Sequence, residues 1–106
     1  MKLYKSGECK TRLKELNLDW AFKDKAIEKE FIFKSFTQAI EFMQTVALVS
    51  EEKKHHPEWT NIYNKVRVRL TTNDFGGITD KDFDLAFSME RIYQGKFFKS
   101  LNINFR

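Results

Sequence analysis

Across 106 residues the chain carries one cysteine, one proline, four glycines and two histidines. Each shortage removes a class of answer. A lone cysteine, Cys9, leaves no internal disulfide and no cysteine-based metal cage, which fits a reducing compartment. Glycine is too scarce for a phosphate-cradling loop, since Gly76-Gly77 is only a pair. No segment approaches the roughly 20 apolar residues of a membrane span. The opening Met1-Lys-Leu-Tyr-Lys-Ser-Gly-Glu8 has no apolar run that could serve as a signal peptide. Repeats, linkers and low-complexity stretches are missing as well. The expectation is therefore a single cytoplasmic domain over residues 1–106 with no membrane partner.

Charge of one sign is also in short supply. The net charge of +4 comes from 19 basic and 15 acidic residues spread along the chain, whereas nucleic-acid binders concentrate basic residues on one face. The nearest cluster is Lys65, Arg67 and Arg69, alternate residues of one strand, best read as a solvated or subunit-facing row. Direct nucleic-acid binding is not expected.

Aromatic residues, in contrast, are plentiful: eleven Phe, three Tyr and two Trp. That is ample for one core and more than a monomer of this size obviously needs inside, so a homo-oligomer is expected.

Hydrophobic period assigns the elements. Residues 6–16 suggest a short amphipathic helix with Ser6 as its cap. Leu18 to Phe22 and Ile27 to Phe33 alternate as a hairpin, although the intervening turn lacks glycine. From Ser35, the residues Phe36, Ala39, Ile40, Met43, Val46, Ala47 and Ser50 form one face of a helix of about four turns. Glu51 to Lys54 and Pro57 end it, because proline disfavours helical geometry at the residue before it, His56. Val66, Val68 and Leu70 alternate with Arg67, Arg69 and Thr71 as a strand. Asn64-Lys65 reads equally as a hairpin turn or as a bend in one long strand. Asn73 to Gly77 ends the strand, and Thr79 caps a last helix carrying Phe83, Ala86, Phe87, Ile92 and Tyr93, with Asp80 and Asp82 in its first turn. Gly95 is expected to close that helix. The last dozen residues, with Phe97, Phe98, Leu101, Ile103 and Phe105, are too apolar for a free tail. The sum is an α+β domain: an antiparallel four-stranded sheet with about three helices packed on one face.

Both histidines and the only proline stand at the point where helix gives way to strand. Written out, the constellation is Glu51-x3-His55-His56-Pro57-x5-Tyr63-x9-Asn73-x8-Asp82. Taken singly, these residues are unremarked. His-His-Pro is usually a solvated helix exit, Asp82 a first-turn charge, Glu51 a surface residue, and Trp20 and Tyr63 core. Adjacent histidines rarely chelate one ion, and no further His or Cys completes a site, so no metal is expected.

Taken together, the spacing resembles the pterin-4a-carbinolamine dehydratases. The likeness extends through Trp20, Phe31-x-Phe33-x-x-Phe36, Phe42-Met43-x-x-Val46-Ala47-Leu48, Pro57-Glu-Trp59, Asn61-x-Tyr63-Asn64-Lys65-Val66 and Asp82-x-x-Leu85-Ala86. It implies a homodimer or homotetramer that dehydrates 4a-hydroxytetrahydropterin to quinonoid dihydropterin, recycling a tetrahydrobiopterin-type cofactor. It implies no metal or organic cofactor, and for some members a protein partner. Such a dehydration delivers a proton to the departing hydroxyl and removes one from the neighbouring ring nitrogen, work suited to histidine. The resemblance makes His55 the acid/base and His56 a pterin-binding residue that shares the catalytic site. Trp20, Pro57 and Trp59 would belong to the binding pocket, and Glu51 and Asp82 would orient or tune the site. Asn73 stands where the family usually has a third histidine, and an amide cannot exchange a proton at physiological pH. Three outcomes stay open: a slow enzyme, substitution by His56, Asp74 or water, or a weak or inactive member serving as an interaction or assembly module.

Overall fold

The structure, a computed structural model, describes residues 1–98. Its elements run α1 (Ser6–Glu15), β1 (Ala21–Lys23), β2 (Ala26–Ile32), α2 (Phe36–Lys53), β3 (Glu58–Ile62), β4 (Lys65–Leu70) and α3 (Asp80–Ile92). A 3₁₀ turn, Asn73–Phe75, precedes α3, and a π-helical segment, Tyr93–Phe98, follows it. The four strands form one antiparallel sheet in the order β1-β2-β4-β3. The α+β architecture expected from the period of the apolar residues is present.

Alternation along the strands decides which face the helices cover. Ile27 and Phe31 of β2 and Val66, Val68 and Leu70 of β4 are buried, in one core with Ala39, Phe42 and Val46 of α2 and Phe83, Leu85, Ala86 and Met89 of α3. Glu28 and Glu30 of β2 and Arg67 and Arg69 of β4 point to the open face, where Arg69 lies 3.4 Å from Glu28 and Arg67 is exposed. The basic row read from the sequence is thus interleaved with Glu28, Glu30 and Glu58. Many of the aromatics are consumed inside: Phe31, Phe33, Phe42, Tyr93 and Phe97 pack with ring centroids 4.9–6.3 Å apart. A half-buried Lys29, 2.9 Å from both carboxylate oxygens of Glu90, ties the sheet to α3.

Local details depart from the sequence reading, each for a physical reason. Ser6 is already helical; Lys5 occupies the cap position, and its backbone N–H donates to Glu8 Oε1 at 2.9 Å. The turn between β1 and β2 lacks glycine because Asp24 and Lys25 themselves take the left-handed conformation, φ 50° and 63°. Helix α2 is 18 residues, closer to five turns, and its buried face is Ala39, Phe42, Val46 and Ser50, while Phe36 and Ala47 are exposed. The choice left open after Tyr63 resolves as a hairpin whose turn is Tyr63-Asn64, with Lys65 already in β4. Asn61 holds that turn, donating to the carbonyls of Tyr63 and Lys65 at 3.0 Å each. Phe87 is exposed, and Leu85 and Met89 fill the face of α3 instead. Gly95 does not close α3; the chain runs through it in the π-helical segment, which seats Phe97 against Phe33 and Phe42. Leu101, Ile103 and Phe105 lie outside the described residues.

Candidate active site

The helix exit places the histidines. At the end of α2, Lys54 is left-handed (φ 54°), its N–H bonds to the Glu51 carbonyl at 3.2 Å, and the His55 N–H reaches back to the Ser50 carbonyl at 3.1 Å. This paired closure ends the helix at a fixed angle. Beyond it the chain is extended, so successive side chains point opposite ways. His55 turns inward and is 9% exposed, whereas His56 turns to solvent.

The inward histidine meets α3. His55 Nε2 lies 2.6 Å from Asp82 Oδ1, and the Asp82 side chain is fully buried. Its other oxygen, Oδ2, accepts from the Thr72 hydroxyl at 2.8 Å and from the Thr79 backbone N–H at 2.9 Å. Thr79 caps α3 as expected, its hydroxyl accepting from the Lys81 N–H at 3.3 Å. Asp82 therefore does two things at once: it completes the cap of α3 and it holds His55. Burial pushes the Cys9 thiol up to about 11, and the negative charge of Asp82 adds to that rise.

His56 makes a separate pair with Glu51 (Nε2 to Oε1, 3.1 Å) at the exposed rim. Asn73 opens the 3₁₀ turn, one residue after Thr72; its side chain is exposed and its carbonyl accepts from the Gly76 N–H at 3.1 Å. Pro57 and Trp59 are half-buried, with Trp59 opposite Val68 on the helix-facing side of β3. Trp20 packs edge-on against Phe31, 5.9 Å between centroids, and its Nε1 is buried with no hydrogen-bond partner among the described residues. The structure thus joins His55 to Asp82 and His56 to Glu51, with Asn73 adjacent in sequence to the threonine that holds Asp82. A depression of about 430 Å³ on the open sheet face, between Glu28, Glu58 and Arg67, has Trp59 in its lining but neither His55 nor Asp82. Among the described residues no group of three or more His, Cys, Asp or Glu side chains is arranged to hold a metal ion.

Thr72 was not anticipated as part of this cluster. The signal was available: Val66, Val68 and Leu70 are the inward positions of β4, and Thr72 continues the same two-residue series with a hydroxyl. A polar residue on the buried side of a strand requires a partner, which proves to be Asp82.

The family model described as Pterin 4 alpha carbinolamine dehydratase matches residues 2–92. The chain belongs to this family. A relative from Prochlorococcus marinus (strain NATL2A), provisionally named a pterin-4-alpha-carbinolamine dehydratase, is 50% identical over 78 residues, 74% of this chain and 82% of the relative. Another of the same provisional name, from Rhodopseudomonas palustris (strain BisB18), is 52% identical over 67 residues, 63% of this chain and 66% of the relative. Among solved structures, a transcriptional coactivator/pterin dehydratase from Brucella melitensis superimposes with a TM-score of 0.80 at 38% identity, covering 86% of this chain and 98% of that one. A pterin dehydratase-like protein identified as a RuBisCO assembly factor in the alpha-carboxysome shares the fold, with a TM-score of 0.58 at 22% identity over 69% of this chain and 84% of that one. No helix among the described residues of this dehydratase-family chain is long and apolar enough to cross a membrane.

Proposed function

We propose that the chain dehydrates 4a-hydroxytetrahydropterin to quinonoid dihydropterin, with His55 as the acid/base. The observation that carries this reading is the buried contact between His55 Nε2 and Asp82 Oδ1, 2.6 Å, on a chain of the pterin-4a-carbinolamine dehydratase family. A carboxylate that already accepts two hydrogen bonds at Oδ2 is suited to accept a third, from Nε2–H, at Oδ1. That assignment gives His55 the Nε2–H tautomer and leaves Nδ1 as its basic nitrogen. In the reaction the C4a–O bond breaks, the departing hydroxyl takes a proton and leaves as water, and the neighbouring ring nitrogen gives up its proton. Nδ1 carries one of these transfers while Asp82 steadies the charge that the ring gains. His56 and Glu51, paired at the rim, bind the pterin with Pro57, Trp59 and Trp20. The reaction as written calls on no metal and no organic cofactor, and the lone buried thiol suits the reducing cytoplasm.

Asn73 supports a second reading, a catalytically weak member that acts as an interaction or assembly module. Loss of one general acid or base typically costs about 10²- to 10⁴-fold in rate. The Brucella relative, described as a transcriptional coactivator/pterin dehydratase, is consistent with either role. An assay on freshly generated 4a-hydroxytetrahydropterin separates them. The purified protein is expected to exceed the spontaneous rate, and Asn73→His to raise kcat by up to about 10²-fold. A protein no faster than the uncatalysed reaction, with no gain from Asn73→His, would leave the module as the function.

A further inference from the structure

We propose that Thr72 is a positioning residue for His55, acting through Asp82; the proposal rests on the reading of His55 as acid/base. Thr72 and Thr79 are both buried, and their hydroxyl oxygens are 2.7 Å apart. The direction of the protons follows from the acceptors. An ionised carboxylate only accepts, so the Thr72 hydroxyl donates to Asp82 Oδ2 at 2.8 Å. Having one proton, Thr72 can then only accept from the Thr79 hydroxyl, whose own oxygen accepts from the Lys81 N–H at 3.3 Å. The order runs Thr79, Thr72, Asp82, His55, ending on the imidazole.

The chain of donors controls geometry because the terminal torsion of an aspartate is soft. With Oδ2 gripped by both the Thr72 hydroxyl and the Thr79 N–H, the carboxylate plane is set and Oδ1 stays aimed at Nε2. Without the hydroxyl, one backbone donor remains and the plane can turn. Thr72 is also where the loop that carries Asn73 closes: its N–H donates to the Gly77 carbonyl at 2.8 Å, and its carbonyl accepts from the Phe75 N–H at 3.0 Å. One residue therefore couples the loop beside the site to the buried pair. The Cys9 thiol of α1 also senses the Asp82 charge, and burial keeps it protonated.

Thr72→Val removes the hydroxyl at similar volume, and Thr72→Ser restores a hydroxyl. Both are compared with wild type in steady-state kinetics on 4a-hydroxytetrahydropterin and in the ¹⁵N spectrum of the His55 imidazole. The wild type is expected to show one Nε2–H tautomer. Thr72→Val should show a mixture of tautomers and a kcat lower by roughly tenfold at little changed KM, the value of one charge-assisted hydrogen bond. Thr72→Ser should recover both. Should Thr72→Val fail to fold, Thr72→Ala gives the same comparison without added volume. A fall in kcat with the wild-type His55 spectrum overturns the proposal, because simple destabilisation would do that; an unchanged kcat overturns it equally. Absence of activity in the wild type would instead overturn the dehydratase reading, and the His55 spectrum alone would then decide whether Thr72 positions the ring.

Discussion

At the scale of single residues, two adjacent histidines meet opposite environments. His55 is enclosed and bonded to a buried carboxylate; His56 and Glu51 form a pair whose side chains are 63% and 78% exposed. An exposed pair is worth little, about 0–1 kcal/mol, because water and salt screen it. His55→Ala is therefore expected to lower kcat by about 10²-fold or more, and His56→Ala to act mainly on KM with a smaller loss. Equal losses in kcat for the two variants would remove the distinct acid/base role of His55. Along the sequence this asymmetry rests on the family resemblance alone: His-His names two equivalent side chains, and it is the direction of the backbone after Lys54 that sends one inward.

At the scale of elements, the end of α2 is the joint on which the site hangs. Lys54 holds a left-handed conformation that ordinarily costs a non-glycine residue roughly 1 kcal/mol or more, and the two hydrogen bonds around it offset that cost. Lys54→Gly is accordingly expected to raise stability by about 1 kcal/mol in urea unfolding while leaving kcat in place. A lower midpoint would mean that contacts of the Lys54 side chain, rather than its backbone, hold the joint. The start of α3 shows the converse economy, since Thr79 and Asp82 serve the cap and the site together. That the helix began there was legible from Thr79 and the two aspartates. A first-turn charge and a partner of His55 are compatible roles for Asp82, because its two oxygens face different partners.

At the scale of the whole molecule, the surface keeps apolar residues that the core does not use. Leu48 on α2 is 74% exposed, Phe36 at its start 50%, and Ile62 and Tyr63 at the β3-β4 turn 67% and 66%. Such residues are stabilised by association, in line with the homodimer or homotetramer implied by the family resemblance. Sedimentation is expected to return two or four times the 12.7 kDa chain mass, and Leu48→Glu to shift the distribution towards monomer without loss of helical signal. A wild type that stays monomeric at micromolar concentration would refute this. The aromatic count alone argued the same point less securely, since Phe31, Phe33, Phe42, Phe83 and Phe97 are all buried within one chain.

What the sequence determined by itself is what depends on local period and local chemistry. The 3.6-residue rhythm of α2, the two-residue rhythm of β4, the Thr79 cap and the spacing from Glu51 to Asp82 are all readable along the chain. Turn positions were harder, because Asp24, Lys25, Lys54 and Tyr63 adopt left-handed backbone without the glycine that would announce it. The site required the tertiary structure for a different reason. His55 and Asp82 are 27 residues apart, and Thr72 is 10 from Asp82; they meet only because the sheet and α3 pack on the end of α2. Spacing nominates such residues, but a carboxylate becomes a partner for one histidine and not its neighbour only when burial removes water as the alternative.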